Sequence, residues 1–312
     1  IEHTSLSAKS VSTGNSASFL FTGAPALFVV LWATGFIGAK MGLPYAEPAT
    51  FLAIRFFVVM VILGLVVWIS RAAWPESWRM VGHIMAVGLL VHGVYLGGIY
   101  VGISQGVTAG DSALIVGMQP ILTAILIGPI LAESVRARQW VGFVLGTLGV
   151  ALVSSRYFSE SSSSVTGVLF CVVGVIGMSI GTLYQKRFCA SMDLLSGSFL
   201  QFVSAATMMI VLAEIFESRQ VDWTGEFVFA LGWLVVVLSL GAMTVLWLLV
   251  RAKAATQVAS LFFLVPPVTA LIAWPLFGET LTLKSVAGMT LVVLGILLVK
   301  QKQDDERGVG AR

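Results

Sequence analysis

The sequence predicts an all-α membrane protein of ten transmembrane helices, arranged as two inverted five-helix repeats. Three observations carry this prediction: the composition, the succession of apolar runs, and an internal repeat at one fixed shift. Of 312 residues, 58% are hydrophobic and 11% charged, with a mean hydropathy of +0.98. A soluble domain carries about 25% charged residues, so the solvent of this chain is lipid. A helical crossing takes ~20 apolar residues, and the length accommodates ten crossings with their loops.

Apolar stretches bounded by charge, Gly or Pro place the spans near 24–42, 49–69, 80–103, 110–131, 137–154, 165–184, 194–215, 227–250, 256–277 and 284–300. The run from Met80 to Leu131 is nearly continuous and is divided only by the polar stretch Ser104 to Asp111, where a Gly-rich turn is expected. Cytoplasmic loops retain Lys and Arg. With the N-terminus inside, thirteen basic residues fall on the cytoplasmic side and four (Lys40, Arg156, Arg219 and Lys284) on the other, with Arg55 inside a span. Both termini are therefore expected in the cytoplasm.

The duplication is read directly from the chain. A shift of 146 residues lays Met118–Val153 on Leu264–Val299 with eleven identities in thirty-six positions, among them Pro120/Pro266, Glu133/Glu279 and Gly142/Gly288. The same shift pairs Gly35 with Gly181, Phe56 with Phe202, and Arg55 with Gln201. The expected organisation is a disordered cytoplasmic tail over 1–23, a first repeat over 24–155, a Ser-rich linker over 156–164, a second repeat over 165–300 and a short tail over 301–312. Five spans is an odd number, so the second copy enters the membrane from the opposite face. Inverted repeats of this kind place a binding site near the midplane, open alternately to either side.

The stretch Trp32-Ala33-Thr34-Gly35-Phe36, Arg55 in the second span, and the paired Pro-x3-Glu segments with their following glycines resemble the EamA-type branch of the drug/metabolite transporter superfamily. The resemblance covers roughly Ala24 to Lys300. It implies ten helices, a bacterial inner membrane, and export of amino acids or related metabolites, with substrates that differ widely between members.

Arg55 lies about two turns into the second span, where a charge facing lipid is costly, so a cavity or a partner is expected. Either it is the counter-ion of a substrate carboxylate, or it snorkels outward or pairs with Asp111 or Glu47. His92 and Tyr95 stand three apart on one helical face in the third span, placed to bind substrate or, for His92, to exchange protons; a packing hydrogen bond is the other reading. Gln119 and Gln201 have the same two readings, and Trp32 is a candidate aromatic wall. Trp247 and Tyr184 read as interfacial anchors. Proton coupling, if present, falls to His92 or Asp111. Glu133 and Glu279 precede new helices and are expected to cap free backbone N–H groups, with Pro120 and Pro266 as structural partners. The glycine pairs 93/97, 98/102, 142/146 and 177/181 have the four-residue spacing of helix-packing seams.

Other classes are excluded by what the chain lacks. Gly177-Met178-Ser179-Ile180-Gly181 matches G-x-S-x-G but sits within an apolar helical run, without the strand-to-helix turn of a nucleophile elbow. There is no His-Glu-x-x-His and no phosphate loop, so no metal, no cofactor and no ATP are expected. Cys171 and Cys189 have no metal-ligand spacing. The basic residues sit at span ends as topology signals, which argues against nucleic acid. Every Asp and Glu falls in a loop, tail or helix end, which counts against cationic substrates. The reading is thus a monomeric secondary exporter of small amino-acid-like metabolites, with the lipid bilayer as its surroundings. The alternatives are uptake, carriage of a sugar, nucleoside or phosphorylated compound, or, from another class, a membrane-bound enzyme or scaffold.

Overall fold

The computed structural model describes residues 23–107, 109–158, 164–277 and 283–299. Among them the chain forms an all-α membrane protein of ten helical segments. We name these α1 (Ala24–Gly42), α2 (Pro48–Ser70), α3 (Trp78–Ser104), α4 (Ala109–Val116 and Gln119–Leu131), α5 (Ala137–Phe158), α6 (Val165–Phe188), α7 (Leu194–Phe216), α8 (Gly225–Ala252), α9 (Ala255–Ser260 and Val265–Phe277) and α10 (Leu283–Val299). The segments α1, α2, α3, α6, α7 and α8, with the 3-10 turn Leu43–Tyr45 closing α1, are long and apolar enough to cross a bilayer, at 22 to 28 residues. Their expected ends differ by no more than a few residues, because caps terminate them. Ser77 accepts from the Met80 N–H, Asp193 from Leu195 and Ser196, and Thr224 from Phe227.

Two expected single spans are interrupted. Helix α4 breaks at Gly117-Met118, and α9 passes through a 3-10 turn over Leu261–Leu264. Pro120 and Pro266 follow these breaks in the first turn of the new helical piece, where a missing N–H costs nothing. Both prolines are buried. Helices α3 and α8 each carry a π-turn, over Leu89–Val94 and Leu234–Ala242, in which Tyr95 N–H reaches Leu90 O and Met243 N–H reaches Leu238 O. Apolar periodicity cannot register such a turn, since it adds one residue without changing the chemistry of the run.

The element boundaries themselves recur at the 146-residue shift. Helix α2 begins at Pro48 and α7 at Leu194, the second piece of α4 at Gln119 and that of α9 at Val265, and α5 at Ala137 and α10 at Leu283. Two of the equivalent pairs, α2 with α7 and α5 with α10, lie side by side and run antiparallel. A β-carbon at Gly142 would stand 2.6 Å from the Gly295 carbonyl oxygen, and one at Gly149 would stand 2.6 Å from that of Gly288, so α5 and α10 meet backbone to backbone. In the same sense Ala49 of α2 meets Glu217 beyond α7, while Gly64 meets Phe199. The other glycine pairs also lie on close contacts: Gly93 and Gly97 against Met208 and Met209, Gly98 and Gly102 against Phe170, Gly174 and Cys171, and Gly177 and Gly181 against Leu90, Val91 and Val94.

The bundle has two distinct ends. At one, here end A, the loop before α2 and the loop after α7 are stitched together. Glu217 accepts from the Ala49 and Thr50 N–H groups and the Thr50 hydroxyl, and Glu47 accepts from the Ser218 N–H and hydroxyl. Asp222 N–H reaches Tyr45 O, and Tyr45 donates to Glu226. The opposite end B gathers basic side chains on carbonyl oxygens: Lys186 on Lys253, Arg187 on Ile130, and Arg251 on Met192.

Candidate functional site

Trp32, Arg55 and Tyr95, singled out from sequence, come together. They line one cavity between α1, α2, α3 and α8 with about 450 Å³ of atom-free space, completed by Gly35, Phe36, Tyr100 and Leu238 among others. Its aromatic wall is ordered by ring contacts. Tyr95 stacks on Trp32 at 6.3 Å between centroids, and Phe262 of the α9 3-10 turn meets Trp32 edge-on at 5.3 Å. Most of the lining is apolar, so polar groups in it are few and oriented.

Arg55 is the charge in that wall, with 4% of its surface exposed. Its Nε donates to Ser239 Oγ at 3.0 Å and an Nη donates to Tyr100 Oη at 3.0 Å. A guanidinium carries five N–H donors, and among the described residues both acceptors are neutral hydroxyls. The expected pairing with Glu47 is not made, because Glu47 is held on Ser218 at end A. The backbone of Asp111 lies in the first piece of α4, and its side chain falls outside the described residues.

His92 and Gln201 form a second group behind Phe56, the residue next to Arg55. The imidazole stacks on Phe202 at 4.2 Å and meets Phe56 edge-on at 6.0 Å. Gln201 donates to Gln185 Oε1 at 3.1 Å. Its own Oε1 and both His92 nitrogens are buried without a hydrogen-bond partner among the described residues, although the Gln201 amide lies beside the ring. Gln119 is elsewhere. It lines a smaller void of about 260 Å³ with Thr182, Val250 and Phe262, so Phe262 divides that void from the aromatic wall.

The residues given structural roles divide. Pro120 and Pro266 restart interrupted helices, as described. Glu133 stands exposed between α4 and α5 and makes no cap among the described residues; the Gln139 side chain accepts from Arg136 N–H instead. Glu279 lies outside the described residues. Trp247, expected at an interface, is instead enclosed in the bundle with 1% exposure, because α8 is packed on several sides. Tyr184 bonds His83 Nδ1 at 2.7 Å. Sequence reasoning missed Tyr100 and Ser239, the two groups that hold Arg55. The available signal was a lone serine in the apolar run Leu234–Leu240 and a tyrosine in the same span as His92.

Comparisons with known proteins agree with this architecture. The model of the EamA-like transporter family matches residues 20–155 and again 165–301. The uncharacterized transporter YvbV of Bacillus subtilis is 28% identical over 286 residues, covering 90% of this chain and 92% of the relative. The uncharacterized inner membrane transporter YedA of Escherichia coli K12 is 22% identical, covering 90% of each. A Salmonella typhimurium protein named probable amino-acid metabolite efflux pump is 23% identical, covering 87% of this chain and 92% of the relative. A solved structure described as "Crystal structure of protein" superposes with a TM-score of 0.73 at 15% identity, covering 89% of this chain and 96% of the other, which speaks to the fold alone. With two matches that together span most of its length, this multi-pass membrane chain belongs to the EamA-like transporter family and is a carrier of small molecules rather than an enzyme.

Proposed function

We propose that this carrier is a secondary transporter exporting small amino-acid-like metabolites across the inner membrane by alternating access. Its two five-helix repeats, 24–155 and 165–300, are inverted, and the chain works as a monomer. The observation that carries the substrate class is Arg55: a buried cation in the wall of an aromatic cavity, held by Ser239 and Tyr100 in a fixed pose. A substrate carboxylate supplies a counter-charge that none of the described residues gives Arg55, through two parallel hydrogen bonds, a geometry the guanidinium fork provides. Trp32 and Tyr95 cover the apolar part of the substrate. His92, Gln119 and Gln201 supply neutral contacts along the path, and His92 or Asp111 is the group available for proton coupling.

The antiparallel contacts of α2 with α7 and of α5 with α10 support the inversion, since equivalent helices of inverted repeats run in opposite directions. The cluster of Lys186, Arg187, Arg251 and Lys253 supports end B as the cytoplasmic face, with both termini there. The name of the Salmonella relative, a probable amino-acid metabolite efflux pump, supports the direction and the class of cargo.

The test is efflux of preloaded radiolabelled amino acids from cells producing the wild type, Arg55→Lys or Arg55→Gln. Arg55→Lys keeps the charge and loses the fork, so efflux falls. Arg55→Gln loses both, at a cost of ~2 kcal/mol or about thirtyfold in apparent affinity for the carboxylate. Equal efflux by all three chains at matched membrane levels rules the carboxylate role out.

A further inference from the structure

The arginine cavity has a counterpart in the other half of the chain. At the 146-residue shift four of its twelve wall residues, Phe36, Ala39, Arg55 and Leu238, correspond to Thr182, Gln185, Gln201 and His92, and the other eight to glycine or apolar residues. At these four positions the first wall has one charge and three apolar residues, whereas the counterpart is polar at all four and carries no fixed cation. These four side chains are all buried, and they are contiguous. Thr182 precedes Gln185 by one turn of α6, Gln185 accepts from Gln201, and Gln201 lies beside His92.

Interiors pair their polar groups, yet Gln201 Oε1 and both His92 nitrogens are shut in without partners among the described residues. The closure is made by the α3 π-turn and its flanks. A β-carbon at Gly88 would stand 2.3 Å from the Gln201 carbonyl oxygen, and one at Gly181 would stand 2.4 Å from Val91 Cγ2. A remnant of space persists on this side, the void of about 260 Å³ that Thr182 shares with Gln119. Space of about 450 Å³ is thus kept beside Arg55 within a largely buried lining, while the equivalent positions around Gln201 are packed against α3, an asymmetry of the kind two inverted halves show in one of two states.

We infer that Thr182, Gln185, Gln201 and His92 line a second cavity, opening at end B when the arginine cavity closes and presenting the cargo with a neutral hydrogen-bonding wall. This rests on the transport reading above. Amide, hydroxyl and imidazole groups both donate and accept, so the wall suits the ammonium and carboxylate of a zwitterion alike without an ion pair. The cargo then meets a fixed charge from one end and none from the other.

The experiment needs no ligand. In a chain whose Cys171 and Cys189 are replaced by alanine, Thr182→Cys and Gln185→Cys are reacted with N-ethylmaleimide in native membranes, beside Ala205→Cys, a buried α7 position outside both walls. Labelling at 182 and 185 at least tenfold faster than at 205 is expected. Adding Gly88→Ala, which obstructs closure of the seam, raises the rate at 185 several-fold further. Rates at 182 and 185 no faster than at 205, in a chain that still exports amino acids, overturn the second cavity and leave the transport reading standing. Fast labelling in a chain that moves no metabolite supports the cavity and sinks the transport reading instead. The unmodified seam carries the comparison should Gly88→Ala fail to fold.

Discussion

Glu217 caps a helix that is not its own. Its carboxylate, just beyond α7, accepts from Ala49 N–H, Thr50 N–H and Thr50 Oγ, each at 2.7 Å, which are donors of the first turn of α2. The residue at the α2 N-cap, Glu47, makes no cap because its own carboxylate is on Ser218. Removing Glu217 therefore leaves helix-end donors unsatisfied and cuts one half of a reciprocal tie between α2 and α7. A hydrogen bond to a charged group contributes ~1.5–3 kcal/mol and a carboxylate at a helix N-terminus ~0.3–1 kcal/mol. The three bonds share one carboxylate at a part-exposed site and are not additive, so Glu217→Ala is expected to cost about 3 kcal/mol. At ~2–4 °C per kcal/mol for a chain of this size class, the melting point drops by roughly 6–12 °C. The buried thiols of Cys171 and Cys189 report the transition through a thiol-reactive dye as the detergent-solubilised protein is heated. Thr50→Val, which removes one of the three bonds, should lose a third or less of that shift. A Glu217→Ala melting point within a degree of wild type refutes the clamp.

Two further outcomes follow from the geometry. The Ser218 hydroxyl and the Ser218 and Arg219 N–H groups hold the Glu47 carboxyl below its ordinary value of 4.5; its contribution is therefore complete above that value and lost as the pH falls through the lower folded one. Melting points measured from pH 6 downward should decline more steeply for wild type than for Ser218→Ala, and parallel curves would contradict the assignment. At the α5–α10 seam, Gly142→Leu should abolish the folded, monodisperse protein, since even a β-carbon there meets the Gly295 carbonyl at 2.6 Å, whereas Gly232→Leu, with nothing within 4 Å, should behave as wild type on size-exclusion chromatography.

Much of the fold was legible because lipid simplifies the code. A span must be apolar over its length, so composition and breaks located the helices, and the duplication followed from paired Pro, Glu and Gly. The cavity was legible in part. Trp32, Arg55 and Tyr95 stand out as polar or aromatic residues in apolar runs, and they do meet. Their partners were not legible, because Ser239 lies 184 residues from Arg55 and one serine in an apolar run has no periodicity to betray it. Trp247 shows the converse error. An aromatic near a span end reads as an interfacial anchor, but only packing decides which face it turns to, and this one is enclosed. The π-turns of α3 and α8 were invisible for a different reason: an inserted residue shifts the register of a face without altering the hydropathy that marks the span.

Whether Arg55 reads a carboxylate is decided by the binding of matched pairs to purified protein. Amino acids and their amides, which differ only in that group, are compared by thermal shift on wild type and Arg55→Gln, since only ligands of the folded state raise its melting point. Wild type is expected to be stabilised by the acid and to be about thirtyfold less sensitive to the amide, and Arg55→Gln to respond alike to both. Undiminished preference for the acid in Arg55→Gln would contradict it.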